Sequence, residues 1–263
     1  MSFTADLLAL PEVPTGLHAG TVVESVTVRG ARIMDADALA DATRRAYHDL
    51  RRRLADRGGR HVLRMWNYVP DLLAPTNRRP GENRYMAFNI GRHAAMREWF
   101  AGDIAPHAPA ATGVGHPGDD LVIHALAAPY AGVAVQNPKQ VAPTDYSARY
   151  GTRPPCFARA TRVGRVLLVS GTAAITGEDS VAPDDLARQV DLTLAHLANL
   201  AAGLEKYRSL RAYVPREGDA AFVAAALAGR VPGVGRVTPI VVDLCRPELM
   251  VEIEGVAEES EPS

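Results

Sequence analysis

"RVLLVSGTAAI", residues 165–175, is an apolar, valine-rich run that ends in small residues, and it reads as a buried β-strand opening into a turn. The period then changes. Leu186, Val190, Leu194, Leu197 and Leu204 recur along one helical face, and Asp184 and Asp185 stand in the first turn, where negative charge suits a helix N-terminus. Gly203 is expected to stop or loosen that helix near its end. An apolar strand, "YRSLRAYVPREGD", and a shorter helix, "DAAFVAAAL", follow.

The first half of the chain carries the same grammar. "TVVESVTVRGARI", residues 21–33, is strand-like, and after it Leu39, Ala42, Ala46, Leu50 and Leu54 fall at helical spacing. Asp35 or Asp37 can cap that helix and Gly58-Gly59 can end it. "HVLRMWNYVPD" and "RHAAMREWF" supply the next strand and helix, and "VRGARI" echoes "VSGTAAI" as "NYVPD" echoes "AYVPRE". Two more strand candidates close each half, "DLVIHALAA" with "AGVAVQN" and "VTPIVVDLC" with "LMVEIEG". The fold expected is α+β: a duplicated unit, a pseudo-repeat with mixed β-sheets and helices packed on one face of each. Residues 1–20 are an N-terminal extension, 21–137 the first unit and 161–257 the second. Residues 138–160 form an irregular, Pro-, Tyr- and Arg-rich connector placed to wall a cleft between them, and 258–263 a disordered tail.

Across 263 residues, 29 Lys and Arg oppose 30 Asp and Glu, so no global field points to nucleic acid or an anionic membrane. No stretch approaches the roughly 20 apolar residues of a membrane span, and the start lacks the basic and apolar regions of a secretory signal. The expected address is the cytoplasm. Cys156 and Cys245 read as free thiols in a reducing compartment, and the eight histidines show no metal-ligand spacing.

Any anion binding must come from local clusters. Arg149, Arg153, Arg159 and Arg162 are concentrated in the connector and the first residues beyond it, among Tyr146, Tyr150 and Phe157, and an arginine fork grips a carboxylate with two parallel charge-assisted bonds. Alternatively these arginines solvate a loop. Strand alternation in "LMVEIEG" sets Glu252 and Glu254 on one face and Val251 and Ile253 on the other. Two readings stand: both glutamates face solvent on the wet side of a sheet, or Glu252 lines a cavity where desolvation raises its pKa and makes it a proton donor. Cys245 reads as a small buried hydrophobe more readily than as a nucleophile, having no histidine beside it in sequence. "SGTAAITG", 170–177, matches no phosphate- or dinucleotide-binding pattern and reads as a tight turn bordering a ligand. Trp66 reads as core, and Arg92 and His93 as supports for the connector or an interdomain contact.

"HVLRMWNYVPD", "RYMAFNIGRHAAM", "PAATGVG", "VQNPKQV", "YSARYGTRPPCFARA", "LLVSGTAAITGEDS" and "DLCRPELMVEIEG", taken in order, resemble the chorismatase family over roughly residues 45–256. That family's fold is similar to two fused units of the RidA-like (chorismate mutase-like) superfamily. The resemblance implies action on chorismate, a small dicarboxylate with an enolpyruvyl ether, without metal or organic cofactor. It implies that Glu252 protonates the enolpyruvyl methylene so that pyruvate can leave. It further implies that Tyr146, Arg149, Tyr150, Arg159 and Arg216 bind the substrate. Cys245 matches the 3-hydroxybenzoate synthase-like subgroup and is therefore a second catalytic candidate. The product expected is 3-hydroxybenzoate; hydrolysis to a dihydroxycyclohexadiene carboxylate, action on a chorismate analogue, imine or enamine deamination, and non-catalytic anion binding are the alternatives. Two departures stand out. Glu178 replaces a family histidine, which puts negative charge near a dianionic substrate if it faces the pocket, and Arg216 is shifted by one residue behind Pro215. Family members also carry a longer N-terminal segment. A monomer is the expected assembly, with a homodimer left open.

Overall fold

The computed structural model describes residues 7–17, 19–235 and 237–259. β1 (Val22–Val28) leads to helix α1 (Ala36–Asp56). The Asp35 carboxylate accepts from the Ala38 N–H at 2.8 Å, satisfying a first-turn amide that has no partner inside the helix. At the other end Gly58 turns the chain out with φ +86°. Leu39, Ala46, Leu50 and Leu54 bury one stripe of α1 against Leu121, Ile123, Ala125 and Ala127.

β2 (His61–Pro70), α2 (Arg84–Trp99), β3 (Ala110–His116) and β4 (Leu121–Ala128) complete the first unit. Its sheet runs β1-β4-β2-β3, with β4 antiparallel to both neighbours and β3 parallel to β2. The two helices cross closely because position 91 is glycine: any side chain there would run into the Ala40 carbonyl.

In the second unit β5 (Val133–Val135), β6 (Ala160–Val163), β7 (Val166–Ala173), β10 (Tyr207–Val214), β11 (Ile240–Val241) and β12 (Glu252–Glu258) form a sheet ordered β11-β10-β12-β7-β6-β5. A small hairpin, β8 (Ile175–Thr176) with β9 (Asp179–Ser180), follows β7. α3 (Leu186–Ala201) and α4 (Ala220–Arg230) cover one face. Asp185 caps α3 at the Arg188 N–H, 2.9 Å away. The helix stops at Ala201, ahead of Gly203, so Leu204 falls in a following 3-10 turn yet still packs on the same core.

The α+β fold with two sheet-and-helix units is the expected one, but four assignments change. "AGVAVQN" does not close the first sheet: β4 already has β1 and β2 on its two edges, and β5 pairs instead with β6 in the second sheet. Ala110–His116, not foreseen as a strand, takes the place beside β2. Of "VTPIVVDLC" only Ile240–Val241 pairs. Glu258 belongs to β12, and Arg162 pairs with Glu259, so the first two residues of the expected tail are held by the sheet edge. The remaining four, and residues 1–6, lie outside the described residues.

Each sheet has helices on one face, and its other face is covered by the opposite sheet. Leu63, Trp66, Tyr68, Val122, Leu126, Leu168, Ala173 and Tyr213 share a third core between the sheets. The layers are therefore helix, sheet, sheet, helix, and the wet face that strand alternation alone allowed is absent where Glu252 and Glu254 leave β12.

Candidate active site

Alternation along β12 sends Ile253 and Ala257 to the helices and leaves Glu252 and Glu254 pointing between the sheets. Both are buried, which removes the reading of solvent-facing glutamates. Glu254 has its oxygens engaged: it accepts from Trp66 Nε1 at 2.8 Å, from Arg64 Nη2 at 2.8 Å and from Thr112 Oγ1. Glu252, 5% exposed, faces a pocket instead. Burial pushes its carboxyl up to about 8, the charge of Glu254 adds to the rise, and Arg64 and Arg159 oppose it. Below that value the group carries its proton, so at neutral pH Glu252 is an acid.

Gly171, on β7, lies against this carboxyl, and any side chain there would collide with Glu252 Oε1. The pocket encloses about 700 Å³ of atom-free space, its open mouth included.

Three guanidinium groups line it. Arg159, 2% exposed, donates to Tyr146 Oη at 2.7 Å and to the Val141 carbonyl at 3.0 Å, while its Nε finds no hydrogen-bond partner among the described residues. Arg92 of α2 is 1% exposed, and its Nε and Nη2 likewise have no such partner. Both lie 5.6 Å from the Phe157 ring. Arg246 stacks 3.6 Å from the Tyr150 ring and is anchored by the Glu178 carbonyl at 2.7 Å. Buried guanidinium nitrogens without acceptors are costly unless a ligand supplies one, and a carboxylate is the acceptor whose two oxygens match a guanidinium fork.

Of the residues proposed from sequence, Glu252, Cys245, Tyr146, Tyr150 and Arg159 come together in this pocket. Arg149 does not line it: its side chain is 58% exposed and pairs with Asp179, reaching Tyr150 Oη at 2.6 Å. Arg216 is also outside, 60% exposed and bonded to Asp219 at 2.8 Å, because Pro215 follows the end of β10 and the chain turns there into α4. The Cys245 thiol is raised to about 12 by burial and by Glu252, so it stays protonated and is no thiolate nucleophile at neutral pH. Cys156 and Cys245 are both free.

Glu178, the departure from the family pattern, is turned away from the pocket. Its carboxylate accepts from the Ser147 N–H at 2.8 Å and Oγ at 2.7 Å, and Arg149 stands 3.9 Å off. It therefore ties the connector to the β8–β9 hairpin and does not repel a bound anion directly.

Arg92, Arg246 and Tyr85 were not selected as site residues from sequence. Arg92 left a signal: Phe88, Arg92 and Met96 share one helical stripe, and a cation inside an apolar stripe needs a buried anion or ligand. Arg246 lay beside Cys245 in the same quoted stretch, with nothing local to say that it turns inward. Among the described residues no helix is long and apolar enough to cross a membrane, and no group of three or more His, Cys, Asp or Glu is placed to hold a metal ion.

The model of the chorismatase FkbO/Hyg5-like N-terminal family matches residues 18–127. A 3-hydroxybenzoate synthase from Streptomyces hygroscopicus is 33% identical over 247 residues, covering 86% of this chain and 72% of its own. A chorismatase from the same organism is 32% identical over 246 residues, covering 86% and 70%. The crystal structure of a chorismatase superposes with a TM-score of 0.79 at 29% identity, over 93% of this chain and 79% of that one. The fold, the pocket and these relatives together define an enzyme of the lyase/hydrolase class. The chain belongs to the chorismatase family.

Proposed function

We propose that this enzyme cleaves chorismate, releasing pyruvate and giving 3-hydroxybenzoate, with Glu252 as the general acid. The observation that carries the reading is a protonated carboxyl in the wall of a pocket whose other polar groups are guanidinium forks and phenols. Arg92, Arg159 and Arg246 take the two substrate carboxylates, and Tyr146 and Tyr150 orient two of these guanidiniums by hydrogen bonding and stacking.

Proton transfer from Glu252 to the terminal methylene carbon makes it a methyl group and leaves the ether carbon oxocarbenium-like. The resulting Glu252 carboxylate then faces that positive charge and stabilises it. Capture of the oxocarbenium carbon by water, whose proton returns to Glu252, gives a hemiketal, and its collapse releases pyruvate and leaves the diene diol. Alternatively the neighbouring ring hydroxyl gives its proton to Glu252 and attacks the ring carbon bearing the ether. That C–O bond breaks with pyruvate as the leaving group, and the ring epoxide so formed isomerises to the aromatic phenol. The reading requires no electron transfer and invokes no cofactor. Cys245 beside Glu252 and the similarity to a 3-hydroxybenzoate synthase favour the phenol.

Incubation of the purified protein with chorismate, with pyruvate and ring products separated by chromatography, tests the proposal. Equal amounts of pyruvate and 3-hydroxybenzoate are expected. Pyruvate with the diene diol reassigns the product, and absence of pyruvate from pH 5 to 9 removes the reading. Glu252→Gln keeps the size of the side chain and loses the acid, so turnover should fall by about 100-fold or more.

A further inference from the structure

The carboxyl of Glu252 lies where it does because β7 is irregular beside it. Glu252 stands opposite Ala173 and Ile253 opposite Thr172, but Gly255 stands opposite Val169, so Ser170 and Gly171 together face Glu254. Two residues against one make a β-bulge, a device that bends a strand and re-aims the side chains around it. On the side of β6 the Ser170 N–H donates to the Arg159 carbonyl at 3.0 Å and the Ser170 hydroxyl to the Ala158 carbonyl at 2.5 Å, which leaves the Gly171 N–H to be held from elsewhere.

Further partners come from the first unit. The Ala111 N–H donates to Ser170 Oγ at 2.8 Å, and the Gly171 N–H donates to Thr112 Oγ1 at 3.0 Å. Thr112 Oγ1 also accepts from Arg64 Nη2 at 2.6 Å and donates its own proton to Glu254. A hydroxyl has one proton and two lone pairs, and here all three are in use. Thr112 is 1% exposed and does not line the pocket, so substrate never touches it.

We propose that Thr112 is a positioning residue for the acid: its hydroxyl holds the Ser170–Gly171 bulge in place, clearing the space that the Glu252 carboxyl occupies, and couples that bulge to Glu254. The first unit thereby completes the catalytic geometry of the second through one side chain. This inference rests on Glu252 acting as the general acid.

Thr112→Val keeps the shape and removes every hydrogen bond of the hydroxyl, while Thr112→Ser keeps the hydroxyl. In Thr112→Val, kcat should fall about 10- to 100-fold, in line with misplacement of a reacting group by an ångström or less. KM should stay within about twofold, since the guanidinium groups are untouched. The Gly171 amide should exchange with solvent deuterium at least about tenfold faster, a readout that needs no substrate. Thr112→Ser should return both kcat and amide protection to near the parent values, which a general loss of packing would not allow. Parental turnover and exchange in Thr112→Val, a loss that appears in KM alone, or no recovery in Thr112→Ser overturns the proposal. Full turnover in Glu252→Gln overturns the acid reading itself, whatever Thr112 does.

Discussion

Glu252 and Glu254 leave β12 on the same side, two residues apart, and their fates diverge through their neighbours. Glu254 meets an indole N–H, a guanidinium and a hydroxyl. Glu252 meets a pocket and the charge of Glu254, so its proton is held to about pH 8. If that proton drives the reaction, kcat/KM should be level below this value and fall tenfold per pH unit above it, with the limb lost in Glu252→Gln. The same shift bears on stability. Between the ordinary carboxylate range and about 8 the unfolded chain ionises Glu252 while the folded chain keeps it protonated, so the stabilising contribution present at low pH is lost as pH rises. Glu252→Gln, which cannot ionise, should therefore raise the melting temperature at pH 8.5 and change it less at pH 4.5; equal effects at both would contradict the shift. Arg92 gives a separate test. Arg92→Ala should raise KM about 10- to 100-fold, read from initial rates against chorismate, and Arg92→Lys should recover little of it because a point charge replaces a bidentate fork.

At the scale of elements, the connector covers the pocket by being fastened to β8–β9 at Ser147 and Tyr150, with Glu178 and Asp179 as acceptors. Glu178→Ala removes two of those bonds without touching the pocket wall. A rise of about two- to tenfold in KM with a smaller change in kcat is expected, measured by the same rate assay; an equal loss in kcat would mean that the connector sets the chemistry and not the closure. The elements also show what local pattern can and cannot convey. α1 and α3 were legible because a buried stripe repeats every three or four residues and a cap needs only a neighbour. β3 was not, since "AATGVGH" is rich in alanine and glycine and owes its strand geometry to β2 beside it. β5 was recognised as extended and assigned to the wrong sheet, because pairing partners are chosen by which edges remain open across the whole fold. Glu252 and Arg159 were legible as types in a pattern. The inward turn of Arg246 and the outward placement of Arg216 depend on chain turns that composition does not encode.

For the molecule as a whole, the layer between the sheets decides whether the two units are one folding body. That layer buries Leu63, Trp66, Tyr68, Val122, Leu126, Leu168 and Tyr213, and at its edge the Arg64–Glu254 pair spans the units with both side chains almost wholly buried. β5 also ties them: it follows the first unit in sequence and pairs in the second sheet. Neither unit can separate without exposing its half of this core and leaving a buried charge without its partner. Breaking a buried ion pair by removing one member costs about 3–5 kcal/mol, more than most single packing defects. The intact chain should therefore unfold in one calorimetric transition, with the van't Hoff enthalpy equal to the calorimetric one. Glu254→Ala should lower the stability of that single transition by several kcal/mol, because Arg64 would be left buried with its main acceptor gone. A split into two transitions in the parent protein would show that each unit is held by its own sheet-and-helix core, and that the inter-sheet layer, with the pocket at its margin, does not make them one folding body.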